Sequence, residues 1–265
     1  MTPGPWLSLG LTRRFQRVRA LLPVRDGVQL PDGGLRIVHL TDLHLRGRRL
    51  HPALIDLAGE LHRDRPHLVL FTGDFNDDKF DSSGAVPILE KAGRLFAGAA
   101  TIGTFGIVGN HDGDLVAARL EAIGVTPLDG KRATLELVDL IGVAGTDRLE
   151  TVNPAAVDDL DRDPGKLTIA LSHYPDQIRR LDRLSPDVCL SGHTHGGQIC
   201  VPWVGKPKPL IWHDSLPMQM AAGIHRFGES WLVVSRGVGT TSLPIRFFCP
   251  AEAVEITLIP AKPSC

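Results

Sequence analysis

The sequence predicts an α/β domain of layered sheets and helices, and three observations carry that expectation. Continuously apolar runs, LRIVHL, HLVLFT, FGIV, LTIALS and VCLS, recur along the chain; without polar alternation, they read as strands covered on both faces. Between them lie segments with apolar residues at helical spacing, and alternating the two patterns argues for helices packed on sheets. Each run also ends abruptly in a polar cluster, as in TDLH, GDFND, GNHD, SH and SGHTHGG.

Taken in order, residues 1–34 stand apart as a basic amphipathic extension ahead of a domain over 35–265. Leu11, Phe15, Val18 and Leu22 recur at helical spacing with Arg13, Arg14, Arg17 and Arg19 between them. Such a helix suits an anionic membrane surface; the other readings are a helix docked on its own domain and a frayed terminus. Arg13 and Arg14 are followed by no apolar core and no small-residue cleavage site, so a signal peptide is not expected. Strands are then expected in the five apolar runs, and later at 135–140, 140–144, 231–235 and 254–259. Helices are expected at 52–62, where Leu54, Leu57, Ala58 and Leu61 form one stripe, and at 86–97, 115–123 and 177–184. Turns fall at Pro31-Asp32-Gly33-Gly34 and Asp163-Pro164-Gly165. The segment Val201–Phe227 breaks the rhythm with Pro202, Pro207, Pro209 and Pro217 among Trp203, Trp212, Met218 and Met220. It reads either as a functional cover or as a shield for a sheet edge. No internal repeat and no long linker divides the chain.

Composition sets the outer limits. With 265 residues and 43% hydrophobic content the chain can bury a sizeable core, which excludes a disordered class. Lys+Arg 29 against Asp+Glu 30 leaves a formal net charge of -1 and no basic field, so nucleic acid is not the expected partner. Cys189, Cys200, Cys249 and Cys265 form no CxxC pair, against a disulfide framework or a cysteine zinc site. No apolar stretch reaches the roughly 18 residues a spanning helix needs. The expected location is the cytoplasm, with peripheral contact at the inner membrane if the basic extension binds there.

The polar clusters carry the chemistry. In open α/β sheets, ligands bind beyond the carboxyl ends of the strands, and there the sequence places Asp42 and His44, Asp74, Asn110 and His111, His173, and His193 and His195. Imidazole, carboxylate and amide oxygen without thiolate suit Mn, Fe, Zn or Ni. Asp42 with His44, and His193 with His195, have period-two spacing, which on an extended strand turns both members the same way. The set is too large for one tetrahedral zinc but fits two ions if one carboxylate bridges, an arrangement that clamps in-line displacement at phosphorus. Gly73, Gly109 and Gly192 directly precede Asp74, Asn110 and His193, where the backbone either bends sharply beside a ligand or makes an ordinary turn.

The series DLH, GD, GNHD, H and GHTH, in that order between Leu35 and Leu258, resembles the calcineurin-like metallophosphoesterase family. That resemblance implies a four-layer αββα sandwich of two mixed sheets flanked by helices, with two divalent metal ions between them. It implies Asp42, His44, Asp74 and His195 as ligands of one ion. Asp74, Asn110, His173 and His193 would hold the other, Asp74 bridging, and a metal-bridging hydroxide would attack phosphorus in line. His111 would then protonate the leaving oxygen or stabilise charge on the phosphoryl group, with Asp77 orienting it or serving only as a turn residue. Asp112 reads as a catalyst or a helix cap.

Gly192-His193-Thr194-His195-Gly196-Gly197-Gln198, Ser235-Arg236-Gly237-Val238-Gly239 and Leu243-Pro244-Ile245-Arg246-Phe247 look like one bacterial branch of that family. Members of the branch often carry an N-terminal membrane segment, and some act on lipid-linked phosphates such as UDP-diacylglucosamine; here only the arginine-rich stretch stands in that place. Arg236 and Arg246 are candidates for gripping non-reacting phosphate oxygens, with surface salt bridges as the alternative. The expected activity is hydrolysis of a phosphoester or pyrophosphate bond in a phosphorylated small molecule or lipid-linked substrate. A general phosphodiesterase, a nuclease of the same family and a non-catalytic metal-binding scaffold are the alternatives.

Overall fold

A computed structural model describes residues 7–9, 16–46, 50, 52–76, 86–143, 163–181, 184–201, 208–210, 215–241 and 243–261. Two six-stranded sheets carry the architecture. Edge to edge, the first contains Gln16–Val24, Glu252–Pro260, Leu35–Leu40, Leu68–Thr72, Gly103–Ile107 and Thr126–Pro127. The second contains Gly223–Phe227, Ser230–Val234, Val188–Ser191, Leu167–Ser172, Val138–Val143 and Arg132–Thr134. Both are mixed. Glu252–Pro260 runs antiparallel to Leu35–Leu40, and antiparallel strands form both edges of the second sheet.

Alternation along the strands explains the layers. Ile37, Leu68, Leu70, Ile169, Leu171, Val188 and Leu190 point into a core between the sheets. Their neighbours Val38, Val69 and Phe71 face the opposite way, onto Leu54, Leu57, Leu61, Ile88, Leu89 and Phe96 of the helices Pro52–Asp64 and Val86–Phe96. Ala170, Cys189, Leu232 and Val234 cover the far side of the second sheet with Ile178, Leu181 and Leu216. Helix, sheet, sheet and helix stack in that order. Strands between such layers have no solvent face, which is why they read as unbroken apolar runs; each fully buried leucine stabilises the fold by about 1.5–3 kcal/mol relative to exposure.

Several expected elements need correction. Of the helix expected over 11–22, residues 11–15 lie outside the described set, and Gln16–Val24 is a strand, parallel to Glu252–Pro260 with Val18 opposite Val254. Val18, Ala20, Leu22 and Val24 satisfy a period of two as well as the helical one, and pairing with the neighbouring strand decides between them. Arg17 is ion-paired with Glu60, Asp64 and Glu255, and Arg19 with Glu255. Those ion pairs tie the two arginines to the sheet and its flanking helix. The segment 115–123 holds a short helix, Asp114–Ala117, and a separate 3-10 turn, Glu121–Ile123, closed by Gly124 at φ 80°. Residues 135–137 form the turn of a hairpin, with Ala133 opposite Leu140, rather than part of a strand. Among the described residues no helix is long and apolar enough to cross a membrane.

Candidate metal centre

Strands of both sheets end on the same side of the sandwich, and the polar clusters begin there. Leu35–Leu40 leads to Asp42 and His44, Leu68–Thr72 to Asp74, and Gly103–Ile107 to Asn110 and His111. From the second sheet, Leu167–Ser172 delivers His173 and Val188–Ser191 delivers His193 and His195. The two same-side pairs are not on extended strand. Asp42 and His44 have φ 51° and 42°, His193 and His195 have φ 65° and 50°, and Asp74 has φ 54°. Left-handed backbone costs a non-glycine residue about 1–3 kcal/mol and persists only where its surroundings impose it. Here the surroundings are main-chain bonds: Asp42 N donates to Gly73 O at 2.9 Å, His44 N to Asp74 O at 3.0 Å and Gly192 N to His173 O at 3.1 Å.

Two glycines are dictated by close approach. A Cβ on Gly109 would lie 2.2 Å from Asp74 Oδ1, and one on Gly192 would lie 2.1 Å from Thr41 Oγ1. No side chain fits at either place.

The expected ligands come together. Asp42, His44, Asp74 and His195 are all buried, and one ligand atom from each lies within 4.8 Å of the others. His44 Nε2 faces His195 Nε2 at 3.0 Å and Asp74 Oδ2 at 3.5 Å, while His195 Nε2 is 3.3 Å from Asp42 Oδ1. Beside this group, the Asn110 amide oxygen is 3.0 Å from His173 Nε2 and 2.8 Å from His193 Nδ1. His173 Nε2 is in turn 3.4 Å from Asp74 Oδ2. Ring nitrogens and carboxylate oxygens converging on one buried spot, with no thiolate, form a donor set for a divalent metal centre. His173 Nδ1 meets the Thr72 carbonyl at 2.7 Å, the kind of outer contact that orients a ligating imidazole.

Burial and neighbouring charge pull against each other here. Burial alone would raise Asp42, but His195, His173 and His44 hold it well below the usual carboxylate range. Asp74 likewise resists its burial and falls to about 2 beside His173. Burial lowers His195 to about 4, so its ring is neutral at pH 7, the form that binds metal. Burial would also lower His173, but the Asp74 carboxylate outweighs it and lifts the ring to about 9. Without an ion, His173 is therefore charged at neutral pH and must lose its proton to bind one. Metal uptake at pH 7 is expected to release a proton, and affinity should climb as pH rises towards 9. Calorimetry in two buffers of different ionisation enthalpy reads that proton directly. The metal-free protein should behave oppositely: the raised pKa stabilises it fully below about pH 6.5, and that contribution fades as pH rises through about 9.

His111 borders the cluster. Its ring is edge-on to His44 at 5.0 Å between centroids, its backbone N donates to Asp74 Oδ1 at 2.8 Å, and its side chain is half-buried. Asp77 lies outside the described residues. Asp112 is neither helix cap nor exposed acid: its carboxylate accepts from Asn76 N at 3.0 Å and Gly109 N at 2.9 Å, bracing the two ligand loops. Burial first, then the charge of Asp74, raises it to about 7. Neither arginine reaches out as a phosphate grip. Arg236 is bonded to Glu252 and, at 2.7 Å, to Gln16 Oε1, and Arg246 is 1% exposed, with its guanidinium turned onto main-chain carbonyls. Tyr174, the one tyrosine in the sequence, stands 4.3 Å from the His193 ring; its place directly after His173 was the available signal.

Residues 35–197 match the calcineurin-like phosphoesterase family. The chain is 34% identical over 242 residues to the uncharacterised metallophosphoesterase YkuE of Bacillus subtilis, spanning 86% of this chain and 81% of that protein. It is 29% identical over 237 residues to the phosphodiesterase YaeI of Escherichia coli, spanning 84% and 82% respectively. In fold it is similar to TT1561 of Thermus thermophilus, with a TM-score of 0.50 at 14% identity over 77% of this chain and 90% of that one. The clustered donors and the matched family agree: the chain belongs to the calcineurin-like phosphoesterases and is a metal-dependent phosphoric ester hydrolase.

Proposed function

We propose that the enzyme cleaves a phosphodiester or pyrophosphate bond at a two-ion centre with Asp74 as the shared ligand. One observation carries this reading: Asp74 Oδ2 is 3.5 Å from His44 Nε2 and 3.4 Å from His173 Nε2, so a single carboxylate adjoins both donor groups. Asp42, His44 and His195 complete the first site, and Asn110, His173 and His193 the second. Two divalent ions so held supply Lewis acidity at phosphorus and a nucleophile at neutral pH. His111 faces the same space and protonates the departing oxygen or stabilises the charge building at phosphorus. Mn, Fe, Zn and Ni all suit the donor set.

The finer reading is a substrate with an acyl portion. Gln198, three residues after His195, ties its amide nitrogen to the Thr241 and Leu243 carbonyls, both at 3.0 Å, and Cys200–Val201 pairs with Lys208–Pro209. Leu210, Leu243, Val201 and Met218 on these neighbouring segments are all exposed, Leu210 at 62% and Leu243 at 53%. Exposed apolar side chains on segments that follow His195 favour a ligand that is partly apolar, and methionine packs adaptably against acyl chains. Trp203 and Trp212, from the same segment, lie outside the described residues. Rates on UDP-diacylglucosamine, its deacylated analogue, bis-p-nitrophenyl phosphate and p-nitrophenyl phosphate, with each metal in turn, test both parts. Faster cleavage of the acylated substrate is expected; equal rates would leave a general phosphodiesterase, and no cleavage with any metal would overturn the activity.

A further inference from the structure

Arg246 is a buried cation with an unusual set of partners. At 1% exposure it heads the largest fully buried side chains among the described residues, and among those residues no carboxylate lies within ion-pairing distance of it. Taking a guanidinium out of water costs several kcal/mol unless its donors are met, and here main-chain carbonyls meet them. Nε donates to Gly239 O at 2.9 Å, Nη1 to His195 O at 3.3 Å and Cys249 O at 3.4 Å, and Nη2 to Arg236 O at 2.7 Å and Gly237 O at 3.3 Å. Nη2 also stands 3.2 Å from His195 Nδ1.

These carbonyls belong to segments that build one side of the metal centre. His195 is itself a ligand candidate. The segment 236–239 leans on another: Val238 N donates to Thr41 O at 3.1 Å, and Gly239 N to Asp42 O at 2.6 Å. A Cβ on Gly237 would fall 2.6 Å from Asp42 Cβ, so that segment lies directly against the aspartate. Asp42 follows a strand of the first sheet and His195 a strand of the second, and both have left-handed backbone, φ 51° and 50°. The planar five-donor fork of Arg246 bolts the His195 turn to the segment that holds Asp42.

We propose that Arg246 is a positioning residue for the ion site built on Asp42 and His195, acting through the main-chain carbonyls and its contact with the His195 ring and not on the substrate. The inference rests on the reading that these two residues bind an ion. A lysine at 246 offers three donors at one point and cannot span the same carbonyls; methionine removes donors and charge together. Lost outer contacts of metal ligands typically weaken affinity by about 10–100-fold.

Mn2+ titration of metal-free wild type, Arg246→Lys and Arg246→Met separates the possibilities, with circular dichroism monitoring the fold and with kcat and KM measured at saturating metal. The expected result is one ion weakened by about 10–100-fold in both variants while the other ion and KM stay near wild type. Two ions bound at wild-type affinity, with or without a raised KM, would overturn the positioning role; a raised KM would return Arg246 to the substrate. If neither variant folds in excess Mn2+, the guanidinium serves folding alone and the proposal is wrong. A wild-type protein that binds no Mn2+, Fe2+, Zn2+ or Ni2+ would instead refute the metal-centre reading beneath it.

Discussion

Asp74→Ala is expected to bind neither ion and to lose turnover by about 10³–10⁴-fold or more, the equivalent of some 4–6 kcal/mol of transition-state stabilisation. The reason is placement. Asp74 Oδ2 stands between His44 Nε2 at 3.5 Å and His173 Nε2 at 3.4 Å, while its other oxygen accepts the His111 amide at 2.8 Å. Removing it deprives both donor groups of their common carboxylate and leaves Asp42 as the remaining acidic ligand candidate. His195→Ala, by contrast, removes a donor from one group and should chiefly weaken one ion. Asp74→Asn separates charge from shape: the amide oxygen can still accept from His111 N, so the loop should hold while metal is lost. Elemental analysis of the purified variants reads the outcome. Two ions retained in Asp74→Ala would show that the carboxylate does not bridge.

His111→Gln and His111→Ala should keep their metal and lose turnover by about 10²–10⁴-fold, the usual worth of a well-placed acid-base group. The ring is half-buried at the border of the cluster, 5.0 Å between centroids from His44, and the ligand atoms pack together without it. Leaving-group dependence distinguishes its two possible tasks. If His111 donates a proton, the loss should be steep for an alkyl ester and shallow for p-nitrophenyl phosphate, whose leaving group needs little help. A uniform loss assigns it to stabilising charge at phosphorus. Metal loss would move it among the ligands, and unchanged rates would remove it from the reaction.

Much of the clustering was legible in the sequence because each strand end delivers its polar residues locally. Asp42 and His44, Asp74, Asn110, and His193 and His195 fall within a few residues of buried strands whose apolar runs mark themselves, so local pattern and global placement coincide. The layers were legible for the same reason, since strands covered on both faces need unbroken apolar residues. Less legible were features whose partners are main chain. The carbonyls around Arg246 carry no residue identity, and an arginine in a PIRFF run reads equally well as a phosphate grip, a surface ion pair or a buried brace. Asp112 is similar: the amides of Asn76 and Gly109 that it binds leave no trace in a motif.

The sequence by itself determined the alternation of strand and helix, and it named the donor-type residues, Asp42, His44, Asp74 and His195 among them, that gather at the strand ends. Tertiary structure alone decided that Gln16–Val24 is a strand, that Arg17 and Arg19 face Glu255, that Asp74 sits between the two donor groups and that Arg246 points inward. The physical reason is the range of the interactions. Apolar runs and ligand spacing act over a few residues and are written in side-chain identity. Strand pairing over more than two hundred residues and bonds to carbonyls depend on what the folded chain brings alongside, and several sequence periods satisfy them equally until it does.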